Sequence, residues 1–370
     1  MYKGKSFFIL INSVSTHKKI NWKKVSIYGV SLLLLAGGTF YVVAYHILSG
    51  PRYKGPPSDH FDGKEFHNLE PTAMKGLGDV LKWQLNREQG EWAEDIQPTS
   101  ETIPEASVVD ARITFINHAS LLIQAGGVNV LTDPIWSERA SPFSFAGPAR
   151  KREPGVEFQD LPPIHAVLIS HNHYDHLDIS TLIRLRDDHD PVFIVPLGVD
   201  LLLDENDIHK TRALDWFDRT DILKATIHAV PAKHFSGRGL GDTNQTLWAG
   251  YIIESGGKKI YFAGDTGYGE FYKLIRDQYG EIDLALLPIG AYKPVWFMQP
   301  IHMSPQEAVQ AHLDLGAKRS IGMHYGTFPM ADDGQEEPVH DLNLAREEKR
   351  IRPVDFFTLG EGEYFDLKEE

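Results

Sequence analysis

The sequence predicts a layered α/β (α+β) domain behind one apolar N-terminal span, and three observations predict it. Short apolar runs alternate with turn signals over most of residues 108–370. Helix-forming stretches fall between some of those runs, one with a full set of end signals. Val25–Leu48 contains no Asp, Glu, Lys or Arg.

At about 1.5 Å per helical residue, the Val25–Leu48 run is long enough to cross a hydrocarbon core of about 30 Å. Tyr28, Tyr41 and Tyr45 lie toward its ends, where interfacial aromatics sit. It lacks the short apolar region and small-residue cleavage site of a signal peptide, so an uncleaved anchor is expected. Residues 1–24 carry Lys3, Lys5, Lys18, Lys19, Lys23 and Lys24 and no acid. A basic segment before the span places the N-terminus in the cytoplasm and the large domain on the far side, the periplasm of a Gram-negative cell. Arg52 and Lys54 reduce that asymmetry.

Residues 49–107 form a Pro- and Gly-punctuated connector, expected to pack on the catalytic domain, with one helix-like stretch near Val80–Asn86. The domain at 108–370 follows. Its strand candidates are Ile113–Ile116, Leu121–Gln124, Val128–Leu131, His165–Ser170, Val192–Val195, Thr226–Val230, Trp248–Glu254, Lys259–Ala263, Leu284–Ile289 and Ser320–Met323. Ala125-Gly126-Gly127 and Ser255-Gly256-Gly257 read as hairpin turns. Ser304-Pro305-Gln306-Glu307 supplies an N-cap serine, a first-turn proline and a capping glutamate. Gly316 closes the helix after Leu315. Strands mixed with helices give a layered domain rather than a bundle.

Composition narrows the chemistry. There is no cysteine, so disulfides and thiolate-held zinc are excluded and any metal must be held by His and carboxylates. The net charge of −14 runs against nucleic-acid binding, which calls for a basic stripe.

The densest chemical signal is Ser170-His171-Asn172-His173-Tyr174-Asp175-His176-Leu177-Asp178, directly after the apolar run His165–Ile169. A strand ending in His-x-His-x-Asp-His puts four metal-binding groups in one short loop. Such a loop can aim His171 and His173 at one point, and Asp175 and His176 at a second. Imidazole and carboxylate suit Zn²⁺, with Fe and Mn also accommodated. His234, Asp265 and His324 each close a later strand-like run, and Gly264 allows close backbone approach beside Asp265. Any one of the three alone would read as a surface or core residue. Their shared position at strand ends is what marks them.

These residues resemble the metallo-β-lactamase superfamily, whose signature is His-x-His-x-Asp-His with downstream His, Asp and His. The resemblance implies a four-layer αββα sandwich with the site at one edge of its two sheets. It implies one zinc ion on His171, His173 and His234, a second on Asp175, His176 and His324, and Asp265 bridging both.

Flanking words narrow the branch. They include Asn117-His118-Ala119-Ser120, Leu131-Thr132-Asp133-Pro134, Ser141–Pro148, Phe235–Gly239, Asp242–Trp248, Ala291–Met298 with His302, and Gly322–Phe328. From about Pro51 to about Phe328 this set is similar to the N-acylphosphatidylethanolamine-hydrolysing phospholipase D family and its bacterial relatives. One departure is Asn117-His118-Ala119, where members often read Gly-His-Ala. The leading span is not a fixed part of the animal enzymes.

The branch implies cleavage of N-acylphosphatidylethanolamine-like lipids to N-acylethanolamine and phosphatidic acid, by hydroxide generated at two zinc ions. Asp175 and Asp265 would act at the metals, and Asp265 would orient the attacking oxygen. His302 would contact the phosphate or assist the leaving oxygen. Asp133 is expected to hold a ligand histidine in its tautomer, or else to cap the turn before Pro134. Tyr174, Tyr292, Trp296, Phe297 and Met298 are candidates for an acyl pocket, with core packing as the alternative. The partners expected are an amphiphilic substrate and a membrane, with no nucleic acid; a homodimer is compatible. Two other functions stay open: hydrolysis of another ester, lactone or phosphodiester at the same metals, and a non-catalytic membrane-anchored scaffold.

Overall fold

The computed structural model describes residues 22–368; the basic segment lies almost wholly outside them. Trp22–Val42 forms helix α1, and a short π-helical turn follows at Val43–Ile47. Leu32, Leu34 and Leu35 are each about two-thirds exposed. Among the described residues no helix is long and apolar enough to cross a membrane. Several side chains of the expected span at 25–48 fall outside the described set.

The connector folds against the domain. Helix α2 (Leu77–Leu85) turns Val80 and Trp83 onto Ala291, Phe297, Met298 and Ala331. Trp83 Nε1 and Arg87 Nε both donate to the carboxylate of Asp332.

Two seven-stranded sheets follow. The first contains β1 (Ala111–Asn117), β2 (Ser120–Ala125), β3 (Val128–Thr132), β4 (Ala166–Leu168), β5 (Val192–Pro196) and β6 (Thr211–Leu214). The second contains β7 (Arg219–Ile222), β8 (Ala225–Val230), β9 (Gly250–Ser255), β10 (Lys258–Phe262), β11 (Ile282–Pro288), β12 (Ala317–Met323) and β13 (Phe356–Thr358). The last strand, β14 (Tyr364–Leu367), returns to the first sheet, which runs β14-β1-β2-β3-β4-β5-β6; the second runs β13-β12-β11-β10-β9-β8-β7. Both sheets begin with antiparallel hairpins and end in parallel strands.

Parallel neighbours need crossovers, and helices supply them. In the first sheet these are α3 (Ile179–His189) and α4 (Val199–Asp204). In the second they are α5 (Phe271–Tyr279), the short α6 (Val295–Met298), α7 (Pro305–Leu315) and α8 (Glu337–Lys349). Alternation along a strand decides the layering. In β4, Ala166 and Leu168 join the core between the sheets, while Val167 joins Leu182, Leu185 and Leu203 under the outer helices. The result is the four-layer αββα order. Fully burying an aliphatic or aromatic side chain contributes about 1.5–3 kcal/mol, and Ile260, Phe262, Leu284 and Leu286 are all fully buried in the two central strands.

The ten expected strands lie within or overlap β1–β5 and β8–β12. β6, β7, β13 and β14 were not anticipated. The two expected hairpin turns and the Ser304 capping box are present.

The strand order brings the carboxyl ends of β3, β4, β8, β10 and β12 to one edge, with the β1–β2 turn beside them. Ligands bind outside the carboxyl ends of strands in such sheets. The sheets approach tightly there. Gly264, just past β10, has φ +59°, and a Cβ on it would collide with Ser170 Cβ, just past β4. Gly264→Ala is therefore expected to lower stability by about 1–3 kcal/mol, read from the midpoint of urea unfolding. An unchanged midpoint would mean this contact between the sheets is loose.

Candidate metal centre

The loop after β4 carries four of the site side chains, and its shape is imposed from both ends. At its far end Asp178 is the N-cap of α3. Its carboxylate accepts from Ser180 N at 3.2 Å and Thr181 Oγ1 at 2.6 Å. At its near end Asp133, just past β3, is fully buried. It accepts from Ser170 N at 2.7 Å and Ser170 Oγ at 2.5 Å, and it lies 2.6 Å from His176 Nδ1. That contact leaves His176 Nε2 as the outward-facing nitrogen. Ser170 Oγ also lies 2.9 Å from His171 Nδ1 and does the same for His171. The turn-cap alternative for Asp133 is not what its side chain does here.

The seven expected ligands converge. His173 Nδ1 lies 2.8 Å from His171 Nε2 and 3.3 Å from His234 Nε2. The other ring nitrogen of His234 faces the Ile301 carbonyl at 2.9 Å. Beside this trio, Asp175 Oδ2 lies 3.2 Å from His176 Nε2 and 3.4 Å from His324 Nε2. Asp265 spans the two groups: its Oδ2 is 3.8 Å from His234 Nε2 and 3.2 Å from His176 Nε2, and its Oδ1 is 3.0 Å from His324 Nε2.

These donors fit cations better than they fit each other. His176 Nε2, His324 Nε2 and Asp265 Oδ1 are buried and make no hydrogen bond despite those short separations. A buried polar atom without a partner costs about 1–3 kcal/mol. Several aimed at one space are the arrangement a metal ion satisfies. The sets His171/His173/His234 and His118/Asp175/His176/His324 each have their donor atoms within 4.8 Å of one another. Nitrogen and carboxylate donors alone leave the choice among Zn, Fe and Mn open.

Charge tells the same story. Burial pulls the His324 imidazole down, but the carboxylates of Asp265 and Asp175 outweigh it and raise it to about 9. His176 is raised likewise, burial being outweighed by Asp265, Asp175 and Asp133. Burial would raise Asp265, yet His324 and His176 hold it well below the usual carboxylate range. Burial lowers His173 to about 4, and neighbouring imidazoles add to the loss at His171. Without metal, then, protons on His176 and His324 stand where cations would.

His302 lies at the wall of the same space, with Nδ1 3.8 Å from Asp265 Oδ2 and without a hydrogen-bond partner. Burial lowers it to about 4, so it is uncharged at neutral pH. A cavity of about 320 Å³ opens from the cluster. His173, Asp175, Asp265, His302 and His324 form its floor, and Trp83, Phe235, Phe297, Met298, Ile301 and Met330 form much of its apolar wall. Of the expected pocket residues, Tyr174, Phe297 and Met298 line it. Tyr292 and Trp296 do not, which corrects that expectation. The Tyr292 hydroxyl donates to Asp341 beneath the surface. Trp296 faces outward under Lys82. Trp296 lies within the one-turn helix α6, whose successive side chains point to different sides. Sequence reading missed Trp83, whose signal was the helical spacing of Val80 and Trp83. It read His118 only as part of the Asn117-His118-Ala119-Ser120 word and not as a member of the cluster.

Residues 128–325 match the family described as a β-lactamase superfamily domain. The chain is 36% identical over 336 residues to an uncharacterized protein of Mycobacterium tuberculosis, covering 86% of this chain and 90% of that one. It is 36% identical over 271 residues to N-acyl-phosphatidylethanolamine-hydrolyzing phospholipase D 1 of Caenorhabditis elegans, covering 69% of this chain and 76% of that one. In fold it is similar to Igni18, a metallo hydrolase of the archaeon Ignicoccus hospitalis, with a TM-score of 0.54 at 20% identity over 71% of this chain and all of that one.

Coordination requires neutral imidazole, so loading the metal-free protein at pH 7 is expected to release protons, one of them from His324. In the metal-free protein that proton is held at neutral pH and lost as pH rises through about 9, so His324's share of the release is nearly complete at pH 7 and fades around pH 9. Titration calorimetry in buffers of different ionisation enthalpy measures the release; a binding enthalpy independent of buffer would contradict it.

Proposed function

Because the chain belongs to the metallo-β-lactamase superfamily and is a metal-dependent hydrolase, we propose that it is a zinc-dependent phosphodiesterase of the phospholipase D type. Its substrates are N-acylphosphatidylethanolamine-like lipids. The observation that carries the substrate reading is the apolar cavity ending on the His/Asp cluster. A hydrolase of small polar metabolites has no use for a wall of Trp83, Phe235, Phe297, Met298 and Ile301, whereas acyl chains do. The similarity to the C. elegans phospholipase supports the same choice.

A bound pair of zinc ions would supply a Lewis acid for the phosphoryl oxygens and lower the pKa of water toward neutrality. The protein's own groups do the rest. Asp175, His176 and His324 make one half of the donor set, His171, His173 and His234 the other, and Asp265 joins them. In the reaction water oxygen bonds to phosphorus, the bond from phosphorus to the ethanolamine oxygen breaks, and that oxygen takes up a proton. The products are phosphatidic acid and N-acylethanolamine. Uncharged His302 borders the space the phosphate would occupy, and as a hydrogen-bonding group it orients a phosphoryl or leaving oxygen.

The rim of the cavity suits a substrate drawn from a bilayer. Leu77, Leu81 and Leu85 fall at i, i+4 and i+8 of α2 and are all largely exposed, while Trp83 on the opposite side lines the cavity. In the same reading α1 and the turn after it anchor the domain, with the site on the extracytoplasmic side. The anchor's base is held to the site: Leu240 N donates to Ala44 O at 2.7 Å, and Gly50 N donates to Asp242 Oδ2 at 2.8 Å. Arg238, from the same loop, donates to the carbonyls of Asn172 and Leu177 at 2.9 and 3.0 Å. A bilayer-tethered domain meets lipids at high effective concentration.

Purified protein with zinc is expected to convert N-acylphosphatidylethanolamine to N-acylethanolamine and phosphatidic acid in a mass-spectrometric assay. Chelation and His171→Ala should each abolish turnover. Two bound metals with no lipid turnover would discard the substrate and move the search to lactones and soluble phosphodiesters. His302→Ala is expected to keep both metals and slow turnover about 10²-fold or more; an unchanged rate removes His302 from the reaction.

A further inference from the structure

His118 occupies a costly position that its own turn does not explain. It is the first residue of the two-residue turn between β1 and β2, with φ +44°. Glycine is the usual occupant where a hairpin needs positive φ at that place, and a side chain there costs about 1–2 kcal/mol. The imidazole is buried, and its Nδ1 has no hydrogen-bond partner. Among the described residues the ring's one polar side-chain partner is Asp175, with Nε2 3.1 Å from Oδ2. Strain and an unsatisfied nitrogen at one residue point to a function for that residue.

The surroundings lock the ring onto that carboxylate. His118 N donates to Thr327 Oγ1 at 3.0 Å, and His324 N donates to His118 O at 2.8 Å. The ring packs against His324 at 4.0 Å between centroids and takes the edge of Phe328 at 5.4 Å. Asp175, His176, His324 and Asp265 already place four donors at the second metal position, and a catalytic zinc site keeps a position open for water or substrate. A fifth nitrogen beside them acts best on a ligand rather than on the ion, as partners of metal-binding carboxylates do.

We propose that His118 is a positioning residue of the second metal position: its Nε2–H holds the Asp175 carboxylate against His176 and His324. The inference rests on the two-metal reading above. It assigns the Asn117-His118-Ala119 turn a role in metal retention, separate from any contact with substrate.

Metal affinity tests it without reference to turnover. Metal-free protein is titrated with zinc against a competing chelator, for wild type, His118→Ala and His118→Gln, each checked for folding by thermal melting. Glutamine can place an amide N–H near the position of Nε2. The expected result is a second ion bound about 10–100-fold more weakly in His118→Ala, a first ion little changed, and substantial recovery in His118→Gln. Two ions bound by His118→Ala with wild-type affinity overturn the inference alone. So does a folded His118→Gln that is as weak as His118→Ala, since that pattern belongs to a direct imidazole ligand. A wild type that holds a single ion overturns the two-metal reading and this inference with it.

Discussion

The buried carboxylate of Asp133 is the group on which the site depends. It takes Ser170 N, Ser170 Oγ and His176 Nδ1 at 2.5–2.7 Å, and through Ser170 it reaches His171. It sits at φ +33°, at the exit of β3, where a strand would otherwise run on. Burial raises its pKa, and His176 and Ser170 pull back against that shift. One side chain thus sets the first turn of the metal loop and the tautomers of two of its histidines. Leaving it out would free a strand end, a serine and two imidazoles at once.

The cluster that Asp133 organises is unfavourable in itself. Asp175, Asp265 and the histidines at 118, 171, 176, 234 and 324 are all buried. Burying ionisable groups costs several kcal/mol each unless they are paired. The carboxylates are paired with protonated His176 and His324, but the nitrogens and oxygens that face each other are not aligned to hydrogen bond. A fold that buries such a cluster spends stability that metal binding returns, and metal binding and folding are coupled for this reason. Backbone strain collects in the same place: His118, Asp133 and His324 all have positive φ without being glycine. The rigid sheets beneath hold them there.

Much of this was legible from residues alone, and what was missed has a common cause. β1–β5 and β8–β12 carry apolar runs because their residues face a core, and period-2 patterning follows from that burial. β6 and β7 are Thr-Arg-Ala-Leu and Arg-Thr-Asp-Ile, largely exposed edge strands. A strand that buries only one residue in four leaves no pattern to read. β13 and β14 are three and four residues long, too short to show one. The metal loop stood out because four donors fall within six residues. His234, Asp265 and His324 were readable through their position at strand ends. Trp296 and Tyr292 were misplaced because adjacency in sequence was taken for adjacency in space. A one-turn helix sends successive side chains around a circle, so Phe297 and Met298 face the cavity and Trp296 faces solvent.

By itself the sequence determined the donor chemistry. With no cysteine, any metal must sit on imidazole and carboxylate, and the His-x-His-x-Asp-His loop after a buried strand presents both types within hydrogen-bonding reach of each other. It also determined the alternation that makes two sheets and the caps that end α7. Tertiary structure brought the donors together, since Asp265 and Asp175 lie ninety residues apart in the chain and meet only when both sheets are closed. It decided that α2, far from the signature, forms one wall of the cavity. It also decided that His118 belongs to the cluster. An imidazole in a hairpin turn has no periodicity and no neighbouring donor to mark it, and its role exists only because the loop after β12 folds down over it.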